Sequence, residues 1–341
     1  MRNTSGKTPR LPEVAKLAEV SPGLVSRILN EDPNLKVRPE TRERVMAAIE
    51  MLQYSPHASA RALRSSHTGL LGFALHHVND PIYAEMIESA QTAAAERQYS
   101  IVMLNTDALA KNDDTVRSLV RGHRVDGLLI QSGYSAEGRG LQDLAAAIPT
   151  LVFNASAADG LRTLRLDDTA AASLATRHLM EAGHTRIVFV GAQGGSSDRR
   201  YEGYLDALAQ EGLMPQRAIV GSWDADSARN AVTRYFADGG EATGIVAVTT
   251  TSALGVHAGV VAAGYSIPEH VSIVGIHDTW FAAHLNPALT TVALPLADVG
   301  SRAVELLLDQ IRRPTEGETV LAEPMPALVE RASVGPPPVS R

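Results

Sequence analysis

The chain has 341 residues, of which 45% are apolar, 20% charged and none cysteine, with a formal charge of −7 at pH 7. This length supplies two or three cores, the missing thiols exclude disulfides, thiolate catalysis and cysteine-ligated zinc, and no apolar run reaches the roughly 18 residues of a membrane helix. The charge is unevenly placed: residues 1–68 hold 11 Lys and Arg against 7 Asp and Glu, and the remainder carries a net −11.

A basic head on an acidic body directs phosphate contacts to the head alone. The opening "MRNTSGKTPRLPEVAK" is polar and lacks an apolar signal core, so a cytoplasmic protein is expected. Three short helices follow. "PEVAKLAE" sets Val14, Leu17 and Ala18 on one face at helical spacing. "SPGLVSRILN" starts with Ser21 as a natural N-cap and Pro22 at the first helical position, where its missing N–H does no harm. "RPETRERVMAAIEMLQY" has Pro39 near its start and a stripe of Val45, Ala48, Ile49 and Leu52. Two short helices meeting at a tight turn predict a helix-turn-helix DNA-binding domain over residues 1–55. In "SPHASARALRSS", Pro56 is a breaker, and Ala60, Leu63 and Arg64 fall on neighbouring turns of a short helix, giving a hinge and linker over 56–68.

From Leu70 the pattern changes. The apolar runs "LLGFAL", "SIVMLNT", "VDGLLIQ" and "PTLVFN" are separated by helical stretches at 83–97 and 113–122, and the alternation restarts with "RIVFVGA", "TGIVAVTT" and "VSIVGIHD". Near-continuous apolar strands alternating with helices predict parallel sheets covered on both faces. The expected fold class is therefore α/β, with two doubly wound lobes over 69–334, ligands favoured between them, and a disordered tail at 335–341. His76 and His77, adjacent on a strand, point to opposite faces and cannot easily chelate one ion, so no metal is expected. "GAQGGSSDRR" is neither GxGxxG nor a P-loop; it reads as a ligand-facing loop, and no cofactor is expected.

Between about Leu11 and Val334, "VAKLAEVSPGLVSRILN", "YSPHASARAL", "HLMEAGHTRIVFVG", "RRYEGYLDAL", "VSIVGIHD" and "NPALTTV" stand in an order and spacing that resembles the LacI/GalR family of bacterial transcription regulators. The resemblance implies a DNA-binding head, a hinge helix and a core like the periplasmic sugar-binding proteins, acting as a homodimer whose affinity for a palindromic operator is set by a small ligand. It places the second helix in the major groove, with Ser21, Pro22, Gly23, Ser26 and Arg27 against the DNA. Asn30 and Thr41 match phosphate-contacting positions, and Leu63 of each subunit would wedge into the minor groove beside a close approach of the two hinge helices at Ala60. Pro22 and Gly23 have no side-chain donor or acceptor, so they offer only shape. Arg27 can fork onto guanine or hold a phosphate. Glu19 stands where relatives commonly have Gly, and "EDPNLK" is about two residues longer than in the shortest relatives.

The resemblance also assigns Tyr83, Asn154, Arg200, Trp223, Thr249 and His277 to an effector, with a sugar or sugar derivative as the leading class. Here this chain departs from sugar-binding relatives. Thr249-Thr250 replaces a common Asn-Asp, His277 replaces Asp, and Asn154 replaces a frequent Asp. Carboxylate acceptors for sugar hydroxyls are missing, which opens the cleft to an acidic derivative, a non-sugar metabolite, or weakened ligand control. The alternative function is a two-lobed solute-binding protein without a regulatory role, against which the basic head speaks. An enzyme finds no support in a nucleophile elbow, metal motif or acid/base pair.

Overall fold

The computed structural model describes residues 9–29, 32, 34–54, 67–106, 120, 122, 124–131, 139–154, 160–192, 194–216, 218–221 and 223–338. The chain divides into two compact units, residues 1–68 and 69–341.

The first unit contains α1 (Leu11–Leu17), α2 (Pro22–Leu29) and α3 (Pro39–Leu52). Their apolar stripes meet in one small core of Val14, Ala15, Val25, Ile28, Val45 and Ala48, closed by Tyr54. Leu17, expected on the buried face of α1, is instead exposed, and Ala15 is buried. With only seven residues in α1, a small rotation of the helix exchanges the two.

The second unit holds two six-stranded sheets. In the first, β1 (Leu70–Leu75) lies between β2 (Ser100–Asn105) and β3 (Gly127–Gln131), followed by β4 (Thr150–Phe153) and β5 (Arg162–Leu166). Helices α4 (Ala84–Glu96) and α5 (Arg139–Ala147) belong to this lobe. The chain then crosses to α6 (Asp168–Glu181), β6 (Ile187–Gly191), α7 (Ser196–Gln210), β7 (Ile219–Val220), α8 (Ala225–Ala237), β8 (Gly244–Ala247), α9 (Thr250–Ala262), β9 (Ser272–Ile276) and β10 (Thr290–Ala293). A second crossing leads to α10 (Leu296–Arg312), which packs on α4 and the first sheet. A third separates β11 (Gly317–Leu321), added parallel to β5, from β12 (Ala327–Val329), added antiparallel to β10.

All other strand pairs are parallel, as the apolar runs require: β3, β4, β6, β8 and β9 are buried at every position. The expected helix at 113–122 falls almost wholly outside the described residues, as do Asn30 and the hinge residues Pro56, Ala60, Leu63 and Arg64. Disorder is expected from residue 335, yet Gly335 is held: its carbonyl accepts from the buried ring of His184 at 2.9 Å and its N–H donates to Ser272 Oγ at 3.1 Å. The buried His184 and Ser272 side chains, themselves 2.9 Å apart, thus fix the start of the tail.

Candidate functional site

In the first unit, burial of Val25 and Ile28 turns the opposite face of α2 outward, leaving Ser21, Pro22, Gly23 and Arg27 exposed and Ser26 half-buried. Ser21 caps the helix, its Oγ accepting the Leu24 N–H at 3.2 Å. Around Gly23 the space is open: a Cβ there would meet nothing nearer than Ser21 Oγ at 4.0 Å. The fold of the head therefore does not require glycine at this position, where it costs the helix about 1 kcal/mol relative to alanine. Arg27 is engaged within its own unit, its Nε lying 2.8 Å from Asp32 Oδ2. The hydrogen bond from Arg27 holds the Asp32 carboxyl below its usual value. This contact was not anticipated from the sequence, and it comes from the longer "EDPNLK" segment. Thr41 lies in the first turn of α3, half-buried. In the α1–α2 turn, Glu19 takes a left-handed φ of 54°, the conformation for which glycine is the usual residue.

In the second unit one cleft, with about 690 Å³ of open space including its mouth, lies between the two lobes, and Tyr83, Asn154, Arg200, Trp223, Thr249 and His277 all line it. Its two walls differ. The first lobe and α10 contribute an apolar set, Ile82, Met86, Phe153, Leu164, Leu166 and Leu296, beside the polar Asp80, Tyr83, Gln131, Asn154 and Arg165; the second contributes Ser196, Arg200, Trp223, Thr249 and His277. Arg200 projects from α7, buried to 2% exposure. Its Nε and Nη2 meet Asp168 Oδ1 at 2.9 and 2.8 Å, its Nη1 donates to the Val248 carbonyl, and its Nη2 donates to His277 Nε2 at 2.8 Å. Arg199 grips the other oxygen of Asp168, at 3.0 Å from Nε and 2.6 Å from Nη2, and donates to Asn154 Oδ1 at 3.0 Å. Asp168 is wholly buried at the first crossing between lobes.

A guanidinium only donates, so His277 Nε2 must accept and the ring proton sits on Nδ1. Burial, with the Arg200 charge beside it, keeps this imidazole neutral far below the usual histidine pKa. On the opposite wall, Gln131 donates to the Tyr83 hydroxyl, and burial pushes that phenol up to about 12. Asp80, in the cleft lining, accepts from Thr251 Oγ1 of α9 at 2.8 Å and so joins the two lobes; burial raises its carboxyl pKa. Asp168, Arg199, Asp80, Gln131 and Ser196 escaped the sequence reading. Only the adjacent arginines gave a signal, because two buried guanidiniums demand a carboxylate.

Residues 10–57 match the bacterial regulatory proteins of the lacI family, and residues 176–334 match the periplasmic binding protein-like domain. The transcriptional regulator GalR of Salmonella typhimurium is 31% identical over 335 residues, covering 96% of each chain. The chain belongs to the LacI family. Two solved structures of transcription regulators are similar over almost the whole length. A lac repressor dimer bound to operator and the anti-inducer ONPF superimposes with a TM-score of 0.85, at 24% identity over 96% of this chain and 100% of the other, a likeness of fold. The regulator CelR in complex with cellobiose does so with a TM-score of 0.69, at 25% identity over 95% and 99%. This LacI-family chain is a ligand-responsive, DNA-binding transcription regulator.

Proposed function

We propose that the protein is a homodimeric repressor of a palindromic operator, acting in the cytoplasm and without enzymatic activity, whose DNA affinity is set by a small molecule in the interlobe cleft. The observation that carries this reading is the convergence of Tyr83, Asn154, Arg200, Trp223, Thr249 and His277 on one cleft, with Arg200 tied through Asp168 to the crossing between lobes. A ligand bridging the walls favours one lobe angle, and it shifts DNA affinity only by its differential affinity for the two states. The complex of CelR with cellobiose makes a carbohydrate or related metabolite the starting class.

In the head, α2 enters the major groove. Ser21, with the helix N-terminus, holds a phosphate; the open space at Gly23 admits the duplex closely; Ser26 lies alongside, and Arg27 reads guanine. Thr41 and Asn30 position the backbone, and the hinge at 56–68 supplies Leu63 as the central wedge with Ala60 as the close helix contact. The groove-wedging hinge carries specificity that Pro22 and Gly23 cannot.

The test is retention of sheared genomic DNA by the full chain, sequenced at moderate salt with and without metabolites. One near-palindromic site is the expected result. Diffuse, salt-sensitive retention under every condition overturns the repressor reading.

A further inference from the structure

We propose that Asp32 is a positioning residue for base recognition: its carboxylate holds Arg27 by Nε and so presents the Nη1–Nη2 edge of the guanidinium to one guanine in each half-site. This rests on the reading of Arg27 as the base contact of α2.

Asp32 is itself held by backbone and side chain together. Its N–H donates to the Arg27 carbonyl at 3.1 Å, and its carbonyl accepts the Leu35 N–H at 3.0 Å. Leu35 in turn packs against the core of the head. The two carboxylate oxygens are divided: Oδ1 accepts the Asn34 N–H at 2.9 Å, and Oδ2 accepts Arg27 Nε at 2.8 Å. One residue therefore grips Arg27 at both its main chain and its guanidinium. At the other end of that guanidinium, Nη1 and Nη2 have no partner among the described residues. Arg27 lies one turn beyond Gly23 on the outward face of α2, so the unbonded edge belongs to the face offered to the groove.

This arrangement bears on recognition in two ways. A guanidinium has two edges that can fork onto an acceptor pair, one carrying Nε and one carrying both Nη groups. With Nε engaged, only the Nη1–Nη2 edge remains, and its parallel N–H groups match guanine O6 and N7. An arginine also loses rotamer freedom when it docks, and a side chain held beforehand loses less. Stability gives a weaker reason for the pair. The two side chains are 51% and 28% exposed, and exposed ion pairs contribute little to folding. The bond from Arg27 holds the Asp32 carboxyl below its usual value, which keeps it ionised. A carboxylate beside the DNA-facing helix repels phosphates, so Asp32 lowers affinity for bulk DNA while sharpening one base contact.

The experiment is competition binding by the full chain to the site selected from genomic DNA and to each single-base-pair variant of it. Arg27→Ala locates the guanine, as the pair in each half-site where discrimination disappears. Asp32→Asn has one oxygen for two donors: the Asn34 N–H, fixed in the turn, keeps it, and the amide N–H groups then face Arg27 Nε and cannot hold it. Asp32→Asn should lower discrimination at the Arg27 pair by about three- to tenfold, leave the other pairs unchanged and bind bulk DNA more tightly. In the Arg27→Ala background it should alter no base preference. Unchanged discrimination at the Arg27 pair overturns the positioning role and leaves the Arg27 reading standing. Equal loss at every pair overturns it too, by making Asp32 a support of the head's fold. If Arg27→Ala loses discrimination at no pair, the base reading and the positioning role fall together. Far-ultraviolet dichroism and a cooperative melt establish folding, and Asp32→Ser, which keeps a turn acceptor without a carboxylate, is the second variant. A head unfolded in both variants overturns the proposal.

Discussion

Glu19 and Arg27 show how single side chains in the head trade stability against reading. Glu19 holds a φ of 54° without the freedom of glycine, a strain on the order of 1 kcal/mol. Glu19→Gly should therefore slow hydrogen exchange of the α1 and α2 amides, by up to about fivefold; unchanged or faster exchange would show the turn to be unstrained. Arg27 is half exposed, and its bond to Asp32 uses Nε, leaving both Nη groups outside that bond. Arg27→Ala should keep the melting transition of the head and lose preference for the selected site by about ten- to a hundredfold, the value of one bidentate base contact. An unchanged preference in competition binding would reduce Arg27 to a surface charge.

At the level of elements, the helices of the second lobe are set at distances that depend on two glycines. A Cβ on Gly203 in α7 would lie 2.1 Å from the Thr169 carbonyl oxygen of α6, and one on Gly255 in α9 would lie 1.9 Å from the Ala225 carbonyl oxygen of α8. Both obstacles are backbone, so neither can rotate away. Gly255→Ala should destabilise the core by about 1–3 kcal/mol or more, and denaturant unfolding of the full chain would measure it. Gly203→Ala should in addition disturb the ligand response, because α7 carries Arg199 and Arg200. A Gly255→Ala protein as stable as the wild type would mean that the helix pair slides without cost.

For the whole molecule, Asp168 sits at the first of three chain crossings between lobes, and Asp80 with Thr251 bonds one lobe to the other. Two buried histidines and a half-buried one predict acid sensitivity of the core. His277, His184 and His257 are all held below the usual histidine pKa, each mainly by burial. The unfolded chain then takes up protons that the folded chain refuses, so this stability is present above about pH 6.5 and is lost as pH falls through and below it. The melting temperature of the core should drop between pH 7.5 and 5.5, and His277→Asn should melt with a shallower dependence. A flat wild-type profile would show that these rings gain protons in place.

The sequence by itself determined the elements whose signal is local. Helical and continuous apolar periodicities located α2, α3 and strands β1 to β4, β6, β8 and β9. Ser21 announced the start of α2, and the repeated alternation announced two lobes with a cleft between them. The short edge strands β7, β11 and β12 have no such signal, since an exposed edge of two to five residues needs no apolar run. Nor did the sequence reveal what each site residue does. Arg200 read as an effector contact, whereas tertiary structure spends most of its guanidinium on Asp168, Val248 and His277, residues 32 to 77 positions away. Those pairings depend on which strand ends the sheets bring together. Periodicity reports which face of an element is buried, but only the fold decides which polar groups meet in the buried space and which donors are left for a ligand.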